Sequence, residues 1–334
     1  MRGLARLVLI LLAALVVSGV VYEQLGEWRD RRRYPRIGHA VDIGGRKLNL
    51  YCSGEGAPSV IVEGAGHTAG YAWIDIQREV AKFTRACWYD RAGYGWSDPG
   101  PSPRTFLEIA RDLHALLQAE AIPAPYVLVG ATAGAFHVRV YNGLYPGDVA
   151  GAVLIRATDT DVFSHEPEYM KGRLDSLPPL VQKIGCAVVA PLALRVGLLR
   201  LMGNPGAGVP FGIGNLAPSE QKELLFLSTN PRTAQTEGEG CTLDESMAEV
   251  RAAGDFGNRP LYVLADSTPF AAPDPAFARE TGALNDYWFH ELQPRLAALS
   301  TRGHLVLQEK AEDPPSIIRA IRAAVEEARS TPPR

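Results

Sequence analysis

Short apolar runs alternate with longer stretches of helical periodicity along most of the chain. The periodic stretches predict helices at residues 104–119, 135–144 and 315–329, and residues 41–52 alternate around Gly44-Gly45 as a hairpin does. Strands alternating with helices imply a mostly parallel sheet with helices on both faces, and a site at the carboxyl ends of the strands. The runs that predict buried strands are residues 59–63, 85–89, 152–155, 261–265 and 305–308 and the run that begins at Tyr126.

The first long apolar stretch, residues 3–22, is interrupted only by Arg6 and Ser18. As a helix it would be about 30 Å long, the thickness of a bilayer core, so we expect a single-pass transmembrane anchor. A cleaved signal peptide is the alternative, because Arg2 and Arg6 form a charged start. Residues 17–19 are only a weak cleavage site, which favours the anchor.

The side of the membrane stays open. More arginines follow the apolar stretch, between Arg29 and Arg36, than precede it, which favours a cytoplasmic domain. Cys52 and Cys87 fall in predicted strands and are expected to be buried thiols. Cys186 and Cys241 could pair if the domain is exported.

Composition adds boundaries and exclusions. A net charge of −3 gives no reason to expect nucleic acid, and no metal or cofactor motif is visible. We expect an anchor and basic linker over 1–35, a core over 36–160 and 259–334, and a helical cap inserted over 161–258, where the strand patterns vanish. Residues 180–202 are unusually apolar, as expected either for helices packed on the core or for a face that contacts lipid or roofs a pocket.

Two motifs carry a resemblance to a known family. The strand that begins at Tyr126 runs into Gly130-Ala131-Thr132-Ala133-Gly134, and an earlier strand opens into residues 90–97, which read D-R-A-G-Y-G-W-S. From about residue 36 to 325 the chain resembles the α/β-hydrolase superfamily, and within it the membrane-associated esterase-like and lipase-like members. The resemblance implies the α/β-hydrolase fold with an inserted helical cap. Many anchored members face outward, against the arginine bias.

The resemblance also implies where a catalytic site would lie. Thr132 occupies the nucleophile position of a G-x-S-x-G turn, although a β-branched residue fits a strained turn poorly. The loop at residues 64–67 would form an oxyanion hole, with amide donors from Ala133 and from Gly66 or His67.

The acid and the base of a triad are less well matched. Arg156 stands where the resemblance leads us to expect an acid; Asp159 and Asp161 lie nearby, and Asp266 is the best remaining candidate. No histidine follows His304, which precedes the last predicted strand and is expected at the opposite end from the site. His67 and His137 are the remaining candidates for a base, each with an ordinary loop or packing role as the alternative.

These departures predict a membrane-anchored, catalytically inactive hydrolase fold that serves as a binding or accessory subunit. The expected partners are the lipid membrane, a membrane protein complex, and a hydrophobic or carboxylate ligand. Arg156 would pair with Asp266, hold a carboxylate, or lie exposed at the surface. The alternative is an active esterase or lipase with Thr132 as nucleophile. A dehalogenase is disfavoured, since its elbow needs an aspartate.

Overall fold

The computed structural model describes residues 2–64, 66, 68–170, 178–202, 216–228, 242–309 and 313–330. Within these residues, eight strands form one sheet in the order β1-β2-β4-β3-β5-β6-β7-β8. The strands are β1 (His39–Asp42), β2 (Lys47–Ser53), β3 (Ser59–Glu63), β4 (Ala86–Tyr89), β5 (Tyr126–Ala131), β6 (Val149–Ile155), β7 (Leu261–Asp266) and β8 (Gly303–Gln308).

The sheet is mostly parallel, as the alternation of apolar runs and helices predicted. β2 pairs antiparallel with β1 and with β4, whereas β4, β3, β5, β6, β7 and β8 run parallel. The carboxyl ends of these parallel strands therefore meet at one edge, where α/β folds place their sites.

Helices cover both faces of the sheet. Apolar side chains divide into two buried clusters, one containing Leu128 and Leu154 and the other containing Val129 and Val153, which are neighbours in sequence and point to opposite faces. The α-helices are α1 (Arg2–Arg33), α2 (Ile74–Val80), α3 (Phe106–Ala119), α4 (Ala133–Leu144), α5 (Val162–His165), α6 (Pro179–Ile184), α7 (Ala190–Arg195), α8 (Leu198–Leu201), α9 (Pro218–Ser228), α10 (Leu243–Ala252), α11 (Ala278–Asp286), α12 (Gln293–Ala297) and α13 (Pro314–Ser330).

The N-terminal helix is longer than the apolar run predicted. α1 continues to Arg33 through a polar segment that we expected to be a basic linker. The Glu27 carboxylate accepts a hydrogen bond from Arg31 one turn later at 2.6 Å, a spacing that supports a helix in water. The window of α1 that is long and apolar enough to cross a membrane is unburied.

The expectation of free thiols at Cys52 and Cys87 was wrong. These residues face each other across β2 and β4 and form a disulfide. The sequence could not show this, because β4 lies beside β2 only after β3 has been placed on the far side of β4. The suggested pairing of Cys186 with Cys241 falls partly outside the described residues, since Cys241 is not among them.

The segment between β6 and β7 holds helices α5 to α10, and the described residues of this insertion contain no strand. The insertion leaves the sheet directly after β6, at the carboxyl end. Its assignment as a lid remains a prediction.

Candidate functional site

The turn after β5 keeps the geometry of a nucleophile elbow. Thr132 has φ 49° and ψ −117°, a conformation that is costly for a β-branched residue. A Cβ at Gly130 would collide with the carbonyl oxygen of Gly134, and one at Gly134 would lie 2.6 Å from the carbonyl oxygen of Gly64. Both glycines are therefore required by close backbone approach. The turn thus has the strained main chain of a nucleophile elbow, with threonine at the position where the G-x-S-x-G pattern has serine.

No histidine supports the Thr132 hydroxyl within the described ranges. Six of the seven histidines are described, and each has a partner other than Thr132. His67, our candidate base, lies outside the described residues. His304 lies at the second residue of β8, where it stacks on Tyr262 and contacts Glu327 at 3.2 Å. It is thus at the end of the strand away from Thr132.

Arg156 and Asp266 form an ion pair at the carboxyl edge of the sheet. Arg156 follows β6 with φ 48°, and its Nε lies 3.0 Å from Oδ2 of Asp266, the last residue of β7. This corresponds to the first of the roles considered for Arg156. Asp266 Oδ1 is buried and has no hydrogen-bond partner among the described residues. The carboxylate thus contacts a guanidinium where a triad acid would orient an imidazole.

His137 is held beneath the elbow by a buried carboxylate. Its Nδ1 lies 2.9 Å from Oε1 of Glu63, the last residue of β3, and both side chains are almost fully buried. Tyr89 donates a hydrogen bond to the other Glu63 oxygen, and the rings of Phe106 and His137 pack edge to face with their centroids 4.7 Å apart. His137 Nε2 is buried without a partner in the described structure. This contact favours the packing role for His137 over that of a base for Thr132.

The charges in this cluster shift one another. Burial alone would raise the pKa of Glu63, but the hydrogen bond from His137 and the charge of Arg91 hold it below its usual value. Burial and the adjacent Glu63 raise the pKa of Tyr89 well above normal. Glu63 is therefore an anion stabilised by three buried groups, which suits a structural role better than proton transfer at neutral pH.

Arg91 ties this cluster to the presumed oxyanion loop. Its guanidinium lies 3.2 Å from Glu63 and donates to the carbonyl oxygens of Gly64, at 2.9 Å, and Gly66. Ala133 opens α4, so its N–H has no partner within that helix. Gly66 and Ala133 remain the predicted donors to a bound oxygen, while Ala65 and His67 lie outside the described residues. Neither Glu63 nor Arg91 was predicted as a site residue. The signal in the sequence was that Glu63 is a charged residue at the end of an apolar strand.

The loop at residues 90–97 is built around a buried carboxylate. Asp90 accepts hydrogen bonds from the Gly70 amide at 2.8 Å and from the Trp96 amide and the Asn49 side chain at 3.0 Å. Burial nevertheless raises the pKa of Asp90 to about 6. A side chain at Gly95 would collide with Asp90, which explains the glycine. This motif therefore fixes the loop beside the site.

Other acidic candidates after β6 are engaged elsewhere. Asp159 accepts hydrogen bonds from Tyr287, at 2.8 Å, and from Arg295, and Asp161 lies 3.6 Å from Arg295. A cavity of about 700 Å³ lies beside β2, lined in part by Tyr51, Cys52 and Arg85. It includes neither Thr132 nor Arg156 and is not part of this site. No cluster of His, Cys, Asp or Glu side chains suited to a metal ion occurs in the described portion of the chain.

Comparison with solved structures decides the fold. An esterase from Thermogutta terrifontis matches with a TM-score of 0.55 at 19% identity, covering 88% of this chain and 99% of that one. Cfl2 from Burkholderia cenocepacia matches with a TM-score of 0.61 at 17% identity, covering 86% of this chain and 95% of that one. A family model described as the alpha/beta hydrolase fold matches residues 58–183. The chain has the α/β-hydrolase fold.

Relatives of this α/β-hydrolase-fold chain include membrane proteins. A probable transporter of Hormonema carpetanum is 31% identical over 123 residues, which are 34% of this chain and 18% of that protein. An uncharacterized vacuolar membrane protein of Saccharomyces cerevisiae is 30% identical over 126 residues, 36% of this chain and 19% of that protein. The chain thus spans less than half the length of the curated relatives it matches. The apolar α1 and these relatives fit a membrane location.

Proposed function

We propose that this protein is a membrane-anchored member of the α/β-hydrolase fold that binds a ligand or a partner and does not hydrolyse esters. The ion pair between Arg156 and Asp266 carries this proposal. The guanidinium of Arg156 lies against the Asp266 carboxylate, where a triad would have an imidazole, and no described histidine reaches Asp266 or Thr132. A threonine hydroxyl without a base has a pKa far above neutrality and is a poor nucleophile.

The rate penalty supports the same conclusion. A positioned general base contributes roughly 10² to 10⁴ in rate, and among the described residues no histidine is placed to supply that contribution to Thr132. The strained elbow at Thr132 positions a hydroxyl but does not activate it. An active esterase with Thr132 as nucleophile is the competing hypothesis, and a labelling experiment distinguishes the two.

A binding role uses the parts of the site that remain. The amides of Ala133 and Gly66 can donate to a carbonyl or carboxylate oxygen, because an oxyanion hole depends on main-chain geometry. Arg156 uses its Nε for Asp266, which leaves its terminal nitrogens for a carboxylate. We propose a hydrophobic carboxylate as the ligand class, with a lid over residues 161–258, and an accessory role beside a membrane protein.

Labelling with a fluorophosphonate probe tests the absence of catalysis. Purified full-length protein should remain unlabelled, as should Thr132→Ala. The combination Thr132→Ser, Arg156→Ala and Glu312→His frees Asp266 and supplies a histidine after β8, and restored labelling in it would support the proposal. Labelling of the unmodified protein that disappears in Thr132→Ala would overturn it.

Lipid extraction tests the ligand class. Protein purified in mild detergent should carry a carboxylate lipid that mass spectrometry detects, and Arg156→Ala should carry less of it. Arg279→Ala removes an exposed arginine outside the site and outside residues 180–202, and is the matched control. Equal lipid content in the protein and its Arg156→Ala variant would remove Arg156 from the site.

A further inference from the structure

The insertion after β6 packs directly on the N-terminal helix. Gly19 and Gly26 lie seven residues apart and so on the same face of α1. A Cβ at Gly19 would lie 2.7 Å from the carbonyl oxygen of Val196, and one at Gly26 would lie 2.5 Å from Nε of Arg200. The two glycines therefore allow the insertion to approach the backbone of α1, as small residues do where helices pack closely.

An ionic contact fixes the same interface. Arg200 donates through Nε and Nη2 to the two oxygens of Glu23, both at 2.9 Å, and through Nη1 to Asp30 at 2.6 Å. Glu23 is almost fully buried where the insertion packs on α1. A bidentate contact of this kind holds its partners in a defined orientation.

The insertion also exposes a large apolar surface beside α1. Its exposed side chains would be costly in water, and such a patch marks an interaction site. They are Leu180, Val181, Ile184, Val188, Val189, Leu192, Leu198, Leu201 and Met202, with Leu201 73% exposed. We call this set the apolar surface of the insertion.

The position of this surface along α1 places it at a bilayer boundary. The long apolar run of α1 ends at Tyr22, and Glu23 is the first acidic residue of the helix. Val196 contacts α1 at Gly19, inside this boundary, while Arg200 contacts it at Glu23 and Gly26, just outside. The insertion thus spans the transition from apolar to charged positions.

Charge selects a membrane as the occupant. Residues 178–202 contain no acidic residue, and they contain Lys183 and Arg195 in addition to Arg200, which is paired with Glu23 and Asp30. Apolar side chains mixed with basic ones are typical of segments that lie in the headgroup region, where anionic lipids attract the cations. Apolar side chains of α1 close to Glu23 in sequence, such as Val21 and Leu25, are exposed as well.

We propose that residues 180–202 lie in the surface of the lipid bilayer beside α1, as a second membrane contact of this protein. The inference rests on the proposed membrane anchoring by α1. Because the insertion leaves the sheet after β6, this contact turns the carboxyl edge of the sheet toward the membrane. Arg31 and Arg36 agree with this, since both contact Trp96 in the loop at that edge.

A lipid-soluble diazirine that forms a carbene on illumination tests the contact. Full-length protein in vesicles of phosphatidylcholine and phosphatidylglycerol is illuminated, and labelled peptides are mapped by mass spectrometry. Peptides from residues 3–22 and from residues 188–202 should both be labelled. Peptides containing Leu305 and Leu307, which are exposed on edge strand β8, provide the background.

The outcomes separate the two proposals. Label in residues 3–22 with only background label in residues 188–202 would overturn the second contact and leave the anchor intact. Background label in both segments would overturn the anchor and with it this inference.

Paired variants test which side chains make the contact. Leu198→Asp with Leu201→Asp should reduce label in residues 188–202 to background and leave residues 3–22 labelled. Leu305→Asp with Leu307→Asp adds the same charges to β8 and should leave both labelled. Circular dichroism and thermal unfolding in detergent verify that each variant is folded. Undiminished label in a folded Leu198 and Leu201 variant would contradict the proposal.

Discussion

Nε of Arg156 lies 3.0 Å from Oδ2 of Asp266 at the ends of two neighbouring parallel strands, and at both positions the sequence resemblance led us to expect a triad acid. Arg156 is 38% exposed in its side chain, so the pair contributes at most about 1 kcal/mol to stability. The ion pair instead supports the proposed lack of catalysis, because it opposes a positive charge to the carboxylate that we predicted as the triad acid.

Substitutions at position 156 should distinguish the energetic contribution of the ion pair from that of the strained main chain. Arg156 has φ 48°, where any residue with a Cβ is strained by about 1 kcal/mol and glycine is not. Arg156→Gly and Arg156→Ala both lose the ion pair, so we expect the glycine variant to be the more stable of the two by about 1 kcal/mol. Denaturant unfolding in detergent measures this difference, and equal stabilities would argue against the strained conformation.

Thr132→Gly should stabilise the protein. Thr132 has φ 49° and ψ −117°, and relieving a strained conformation of this kind is worth about 1 to 2 kcal/mol. Thr132→Ala keeps a Cβ and should give a smaller gain. An enzyme would lose activity with Thr132→Gly, so a stabilised variant that keeps the bound lipid of the unmodified protein is the expected result for a binding protein. A loss of stability would contradict this prediction and show that contacts of the Thr132 side chain outweigh the strain of its main chain.

Stability should fall as pH rises through the titration of Asp90. Burial raises the pKa of Asp90 from 3.8 to about 6, so between these values the folded protein keeps a proton that the unfolded chain has released. The contribution of Asp90 to the free energy of unfolding should therefore decrease by up to about 3 kcal/mol between pH 4 and 6. Asp90→Asn should remove this contribution from the pH dependence, and Asp98→Asn, directly after the loop, should retain it. Unfolding curves at several pH values measure the slope.

The disulfide predicts the compartment of the domain. Cys52 and Cys87 are bonded across β2 and β4, and disulfides persist on the oxidising side of a membrane. The arginines after the apolar run favoured a cytoplasmic domain, so the two signals disagree. We give the disulfide more weight and predict that the domain lies on the oxidising side of the membrane. In cells, Cys52 and Cys87 should resist alkylation until a reductant is added. Peptide mapping of maleimide adducts measures this, and immediate alkylation of both would place the domain in a reducing compartment.

Removing Arg200 should release the insertion from α1. Arg200→Ala leaves the buried Glu23 carboxylate without its bidentate partner, which is unfavourable. Amide hydrogen exchange in residues 190–201 should therefore become faster, while β5 keeps its protection. Arg195→Ala removes an exposed arginine of the same segment and should leave exchange unchanged. Identical exchange in the two variants would show that the ionic contact does not hold the segment.

Elements with a strong local pattern were predictable from the sequence. The C-terminal helix was expected over residues 315–329 and spans Pro314–Ser330, and β3 was placed correctly at Ser59–Glu63. Amphipathic periodicity and continuous apolar runs depend only on neighbours in the chain, so they can be recognised without tertiary structure. The end of α1 was missed by eleven residues, because polar helices lack such a pattern.

The sequence predicted which positions of the chain meet at the candidate site, but not which side chains contact one another there. Chain order placed Thr132 after β5 and Asp266 at the end of β7, because strand ends converge in a parallel sheet. It did not reveal that Glu63 and His137, 74 residues apart, would bond each other beneath the elbow. The roles assigned to Thr132 and Asp266 stay predictions until the probe experiments are done.

The sequence alone determined the type of fold, the apolar helix at its start and the replacement of serine by threonine, since each is encoded in local order and residue identity. Tertiary structure alone decided which charges and sulfurs meet. Cys52 forms a disulfide with Cys87, and Arg156 forms an ion pair with Asp266. Arg200 forms a hydrogen-bonded ion pair with Glu23, which lies 177 residues away in sequence. Ionic and covalent contacts of this kind act over a few ångströms, and only the folded sheet and its insertion bring distant residues that close.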